Sequence, residues 1–413
     1  MASTQVPLPK LGVDLLSRPA SAAKGAVRSA VNVDISNAGV FSRRDGYTTV
    51  VPGGGYHSLH ADDRGLFVGR GNGVYLVDEV TLSGTTVCDM LLEAPVDFSE
   101  YNGNLYICGP QAFYWIPADS ADARAVGVAL PNTLPSLSST GTGQLADSTY
   151  SVALSWVDER GEESPTKLLG VLPLVGGVQL SGLELREGFR YRIYMSPPNG
   201  GELYLAAEFD ATFTQYVVLE RAEGAIRSTQ YLAPMPPGNF VRGDKGRLYV
   251  AAGDTLWFSE PMRPHLTDPR HNFIKFSGDI RFMEIMNFGM YVGDDRGVWW
   301  LAGTDPTKFE LQSVSDALAV KRSSLTILTS HLGERFSKGE NNAALWLSAQ
   351  GYMVGSVRGE VTPLHPERVR LAADLEGKSV FVTRKGVKQV ITLTAAAPSL
   401  IPTFGVATDD LLQ

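Results

Sequence analysis

From Asp62 the chain reads DDRGLFVGRGNGVYLVDE: a polar turn carrying Gly, an apolar run, a second tight Gly-bearing turn and a second apolar run. The same alternation returns in EYNGNLYICGPQAFYWIPAD from Glu100, GDKGRLYVAAGDTLWFSEP from Gly243 and NFGMYVGDDRGVWWLAG from Asn287. It returns again in NNAALWLSAQGYMVGSVRG from Asn341 and LEGKSVFVTRKGVKQVITL from Leu375. Short β-branched and aromatic runs separated by Gly or Asp turns predict hairpins. Their cores (Leu-Phe-Val, Leu-Tyr-Ile, Leu-Tyr-Val, Met-Tyr-Val, Leu-Trp-Leu, Val-Phe-Val) are apolar enough for strands covered on both faces.

Anchored on the turn, the units start at 65, 103, 246, 289, 343 and 377, with spacings of 38, 143, 43, 54 and 34. Apart from the 143, these fall near the roughly 40–50 residues of a propeller blade. The fold class expected is all-β, a β-propeller of approximately six blades; unrelated hairpins of a sandwich are the alternative. Within the long gap, STYSVALSWVDERGEESP alternates and then turns at Gly161, and FRYRIYMSPPNGGELYLAAEF supplies a hairpin around Pro197–Gly201. KLLGVLPLVGGVQLSGLEL lies between them as short strands. The stretch has the size and pattern of an inserted fibronectin III or immunoglobulin-like β-sandwich with Trp156 as its core aromatic. PNTLPSLSSTGTGQ (131–144) reads as the linker into it and APMPPGNF (233–240) as the return. The expected organisation is therefore residues 1–50 as an N-terminal extension and hairpin, and 51–140 as the first part of the propeller. The inserted sandwich follows over 141–234, the second part of the propeller over 235–395, and a tail over 396–413.

Composition narrows the function classes. The 413 residues carry 43 Gly and 24 Pro, matching a turn-rich β protein. A net charge of −8 argues against tight gripping of nucleic acid, which needs a basic face. Cys88 and Cys108 are the two cysteines, in no metal or CxxC spacing, as expected of a reducing compartment. No charged start followed by an apolar run opens the chain, and no apolar stretch approaches a membrane span, so no membrane anchor is expected.

Chemistry-bearing motifs are sparse. His57 and His60 stand near Asp62 and Asp63, but strand geometry throws the two rings onto opposite faces, which reads as structural. His265 and His271 flank a Pro-containing loop with no third ligand nearby in sequence. Asp294-Asp295-Arg296 before Gly297 reads as a turn, and the adjacent Glu162 and Glu163 splay apart in another. Trp115, Trp257, Trp299, Trp300 and Trp346 recur on the hairpin strands and read as core aromatics. No nucleophile elbow, zincin, phosphate-loop or dinucleotide motif occurs, and sialidase-type repeated turns are missing from SAQGYMVG. No catalytic residue, metal or cofactor is expected.

RSAVNVDISNAGVFSRRDGYTTV (28–50) resembles the N-terminal signature of tail hub proteins of short-tailed bacteriophages, variously called nozzle, tail tube B or stabilisation proteins. The matching positions are Asn32, Asp34, Gly39, Arg43, Arg44, Gly46 and Tyr47, with Asp45 where a Pro is frequent. GEESPT, YRIYMSPPNGGELYLAAE, GRLYVAAGDTLWFSEPMRPH and GVWWLAGTDPTKFELQSV resemble later segments in order, covering most of 28–395. The resemblance implies a non-enzymatic virion protein, a hexameric ring below the portal and its adaptor. It also implies contacts to tail spikes or fibres and to a distal plug or needle, with genomic DNA passing through without specific binding. A carbohydrate-binding propeller, part of an adhesin, is the alternative function, and a cell-wall hydrolase comes third. For residues 28–50 two roles stand open: an edge-adding hairpin with Arg43 and Arg44 pairing acids on a neighbour or on the rim of the same chain, or the strand that closes the propeller.

Overall fold

The computed structural model describes residues 11–396 except 12, 15, 19–20, 36–38, 45, 47–52, 79, 333–335, 337–340, 365–370, 372–374 and 385–386. By internal contacts the chain divides into two units, Met1–Gly53 with Phe276–Gln413, and Gly54–Lys275. Among the described residues regular structure is mainly β, with 3-10 turns at Pro306–Lys308 and Thr329–His331. No helix there is long and apolar enough to cross a membrane. β1 (Val33–Ile35) and β2 (Phe41–Arg43) form an antiparallel hairpin that joins no other sheet among the described residues.

In the unit Gly54–Lys275, each of the early hairpins sits in a four-stranded antiparallel sheet whose strands follow chain order. The first is β3 (Tyr56–Asp62), β4 (Gly65–Arg70), β5 (Gly73–Val77) and β6 (Gly84–Asp89). The second is β7 (Asp97–Tyr101), β8 (Asn104–Cys108), β9 (Phe113–Ile116) and β10 (Arg124–Ala125). Phe67, Val74, Met90, Leu105, Ile107 and Ile116 pack as one buried cluster between these two sheets. Sequence-adjacent strands pair because connections of two to seven residues close each hairpin at little entropic cost.

The chain then runs through seven strands that share one core. They are β11 (Ser136–Ser139), β12 (Leu145–Val157), β13 (Lys167–Gly176), β14 (Val178–Ser181), β15 (Arg190–Met195), β16 (Tyr204–Asp210) and β17 (Gln215–Val218). One sheet has the order β11-β14-β17 and the other β13-β12-β15-β16. Trp156 is fully buried in their common cluster beside Phe189 and Tyr191, as its position in the alternation predicts. The stretch 131–144 is not linker throughout: β11 lies inside it. Leu137 packs on the core while the flanking serines stay outward, a strand pattern masked by its Ser/Thr/Pro content.

β18 (Ala233–Pro234) pairs with β22 (Leu266–Thr267), and between and beyond them β19 (Phe240–Asp244), β20 (Arg247–Ala252), β21 (Thr255–Phe258) and β23 (Phe273–Lys275) form another four-stranded sheet. This sheet packs directly against β7–β10, although more than a hundred residues separate them. Tyr106, Phe113, Met235, Val241, Leu248 and Val250 are buried together. The Asp97 carboxylate, buried in β7, accepts from the Val241 amide at 3.1 Å and from the Arg242 guanidinium at 2.5 Å. The Tyr101 hydroxyl accepts from the Gly246 amide at 2.5 Å. A Cβ at Gly243 would fall 2.2 Å from the Tyr101 ring, so only glycine lets β19 come this close to β7.

The other unit repeats the scheme with β24 (Phe282–Met286), β25 (Gly289–Asp294), β26 (Gly297–Ala302) and β27 (Glu310–Ser315) in one sheet. The next holds β28 (Leu325–Leu328), β29 (Asn342–Ser348), β30 (Gly351–Gly355) and β31 (Val361–Pro363). Phe282, Tyr291, Trp300 and Trp346 form their joint core, and buried Glu284 of β24 accepts from the Ser324 and Thr326 hydroxyls at 2.9 and 3.1 Å. Asp294 accepts from the Arg296 and Gly297 amides, the turn its motif predicts. The last pair is β32 (Leu375–Arg384) with β33 (Val387–Ala396), two-stranded among the described residues. The expected tail beyond Ala396 lies outside them.

Removing one member of a buried ion pair leaves an uncompensated charge, at a cost of about 3–5 kcal/mol. Asp97→Ala is therefore expected to lower unfolding free energy by about that amount, read from the urea midpoint at unchanged slope. A loss under about 1 kcal/mol would show that the Asp97–Arg242 contact does not hold the two sheets together.

Candidate functional site

The hairpin positions come first because the resemblance rests on them. Asn32 opens it in the left-handed region (φ 54°) and Gly39 lies in its turn (φ 79°). The register sets Val33 opposite Arg43, Asp34 opposite Ser42 and Ile35 opposite Phe41. Arg44 therefore sits diagonal to Asp34 on the same face, within reach of a long side chain. Its backbone amide donates to the Asn32 carbonyl at 2.9 Å and its guanidinium donates twice to Asp34 Oδ1, at 2.9 and 3.0 Å. Arg44 thus pairs with Asp34 inside its own hairpin. Arg43 is exposed, a Cβ at Gly46 would meet open space, and Tyr47 lies outside the described residues.

His57 and His60 behave as their strand spacing dictates. His57 Nε2 lies 2.9 Å from the Gly71 carbonyl, while His60 faces Asp62 two residues on. What the spacing hides is a third group: Glu100 of β7 brings Oε1 to 3.3 Å from His60 Nε2, with Asp62 Oδ2 at 3.6 Å. The three atoms lie within 4.8 Å of one another, close enough to share a cation. The Arg64 guanidinium already donates to Asp62 Oδ2 at 2.5 and 2.9 Å, and the His60 ring stacks on Phe98. The trio is more economically an ion-pair cluster built around Arg64.

The concave site of the unit Gly54–Lys275 is a cavity of about 330 Å³ lined by β9 and β10, by the turn between β12 and β13 and by the loop before β15. The turn is held by Asp158, whose Oδ1 accepts from the Arg160 and Glu162 amides. It sends the two adjacent acids in opposite directions. Glu163 turns into the core, accepting from the Ser155 and Tyr194 hydroxyls at 2.6 Å each and from Arg192 at 2.9 Å. Glu162 turns to the cavity, where its carboxyl makes no hydrogen bond among the described residues. Burial, helped by the charge of Asp158, pushes its pKa up to about 7.

Behind Glu162 stands His265, buried, with Nδ1 3.7 Å from Glu162 Oε1 and neither ring nitrogen hydrogen-bonded among the described residues. That spacing fits an ion pair, yet desolvation drives both groups toward their neutral forms and lowers the His265 pKa to about 4. A neutral imidazole therefore faces a carboxyl close to half protonation at pH 7. Across the cavity the Arg186 guanidinium lies over the Phe189 ring at 3.8 Å and the Trp156 ring at 5.0 Å. The splaying of Glu162 and Glu163 is as the sequence predicts. The perturbed pair is not, because His265 lies about a hundred residues away and no local pattern marks it.

No protein-family model matches the chain, and no curated protein sequence matches it. Among solved structures it is similar to the WD40 domain of Pan2 from Neurospora crassa at 12 % identity and a TM-score of 0.34, covering 84 % of this chain and 90 % of that one. It is also similar to YCF48 from Cyanidioschyzon merolae (8 %, TM-score 0.30, 83 % and 95 % covered). A third is an enzyme described as a 6-phosphogluconolactonase of Bacteroides fragilis (11 %, TM-score 0.29, 83 % and 94 %). Scores in this range decide neither fold nor activity.

A carboxyl whose folded pKa exceeds its unfolded value loses relative stability as pH rises from about 4.5 to about 7, where only the unfolded chain ionises it. His265 works from the other side, costing stability as pH falls from about 6.5 toward 4. Glu162→Gln is expected to stabilise the chain by about 2–3 kcal/mol at pH 8 and by almost nothing at pH 4, measured by urea unfolding of both proteins at each pH. An equal effect at both values would place Glu162 in solvent rather than in the cavity wall.

Proposed function

We propose that the chain is a structural assembly protein, a ring-forming nozzle or hub in the tail of a short-tailed bacteriophage. On this reading the four-stranded sheets are blades of a six-bladed β-propeller, and the strands of residues 136–218 are a β-sandwich inserted at one blade-to-blade connection. Contact between β7 and β19, on either side of that stretch, supports the insertion, since a guest module must leave its host sheets adjacent. The fitting partners are further copies of the chain in a ring of six, a portal adaptor above, spike or fibre proteins at the side and a plug or needle below. Genomic DNA passes without specific binding, and the site of action is the virion.

The observation that carries the assembly role is the β1–β2 hairpin. Its strands have no neighbours beyond each other among the described residues, and Val31, Val40 and Phe41 are exposed on and beside it. An unpaired edge with apolar side chains is a template for strand addition, and a heterologous contact of this kind closes into a ring. The internal Asp34–Arg44 bond supports the same role by holding the hairpin in shape before any partner arrives. The moderate acidity of the chain, −8 over 413 residues, also suits a conduit for DNA.

Replacing Arg43 and Arg44 with alanine tests this. The parent is expected to form rings in negative-stain microscopy and sizing, and the variant to melt like its parent, since exposed pairs contribute about 0–1 kcal/mol, but to form none. An unfolded variant would assign the hairpin to closing the fold, and a parent that stays monomeric with adaptor and spike proteins present would remove the ring.

A further inference from the structure

The cavity between β9–β10 and the β12–β13 turn is lined by charged groups that the assembly reading does not use. Its wall carries a mostly buried carboxyl, Glu162, with no hydrogen bond among the described residues, and behind it stands the buried imidazole of His265, 3.7 Å away. Glu162, partly open to the cavity, presents its carboxyl oxygens to whatever enters. Arg124 and Arg186 also face the space, and neither makes an ion pair within 4.0 Å among the described residues. Stacking on Phe189 and Trp156 fixes the Arg186 plane while leaving its N–H groups free at the edge.

The balance of groups selects the ligand. Asp158, Glu159, Glu162 and Glu187 outnumber the two arginines, which disfavours phosphates and other anions. The arginines in turn disfavour a bare cation. Acceptors and donors of both kinds, planar and set around one small space, match vicinal hydroxyl groups, each of which donates and accepts. A volume of about 330 Å³ lies at the small end of ligand sites, with room for one or two sugar rings. We infer that this cavity binds a small neutral saccharide, with Glu162 and Arg186 hydrogen-bonding its hydroxyls and Arg124 closing the rim. The aromatic rings serve the site indirectly: Trp115 has Tyr106 against one face and Arg160 over the ring, so the sugar is held by polar edges rather than by stacking.

The test is saturation-transfer NMR on the full chain with methyl glycosides of glucose, galactose, mannose, rhamnose and N-acetylglucosamine at millimolar concentration. At least one is expected to receive saturation, and Arg124→Ala and Arg186→Ala, both at exposed positions, are each expected to weaken it about tenfold or more at unchanged melting temperature. Transfer to none of the five overturns the inference, as does transfer undiminished in a folded Arg124→Ala/Arg186→Ala variant. Chemical shifts around Glu162 that move with sodium phosphate but with no glycoside would overturn it as well. None of these results depends on whether the chain forms rings.

Discussion

A buried carboxylate in β7 ties together two sheets of the unit Gly54–Lys275. Asp97 is buried, so its charge must be met by protein groups, and two donors come from β19, some 145 residues further along. The donors are a backbone amide and the neighbouring guanidinium, which together fix the strands in distance and in register. Everything between them, the seven strands around Trp156 included, is thereby obliged to leave and return at one place. The close approach at Gly243 and the Tyr101–Gly246 bond are legible as consequences of the same contact. Glu284 plays a comparable part in the other unit, where its carboxylate spans from β24 to Ser324 and Thr326.

Within each unit, first strands of neighbouring sheets meet. β3 reaches β7 through Ser58, whose hydroxyl accepts from the Val96 amide, and through His60 against Glu100. β7 reaches β19 through Asp97, and β24 reaches the start of β28 through Glu284. The apolar clusters fill the space behind these polar seams. Such an arrangement separates two tasks. Burial of aromatic and aliphatic side chains supplies most of the stabilisation, and the polar bridges select which sheet lies beside which.

The turn at Asp158–Glu163 shows how little covalent distance means for chemistry. Two identical acids one bond apart end in different media: Glu163 is satisfied by two hydroxyls and an arginine, whereas Glu162 faces a cavity and a neutral imidazole. The first is part of the framework that holds β12 against β15. The second is free to respond to whatever enters. The β1–β2 hairpin is a two-stranded sheet with no further strand among the described residues, and Val31, Val40 and Phe41 are exposed on and beside it.

Much of the β architecture could be read from residue order. The six hairpins, the turns at Gly161 and Asp294 and the central place of Trp156 are all visible because each depends on neighbours within some twenty residues, where alternation and turn chemistry act. The strand at Ser136–Ser139 escaped because its outward face is serine and it borders Pro and Gly, so composition outweighed its single inward leucine. What only the tertiary structure decided was proximity between distant segments. It put Arg242 on Asp97, Glu100 beside His60 and His265 behind Glu162. The reason is physical: a hairpin forms from contacts local in the chain, whereas a buried charge takes its partner from whichever strand packing delivers to it, and no local pattern encodes that delivery.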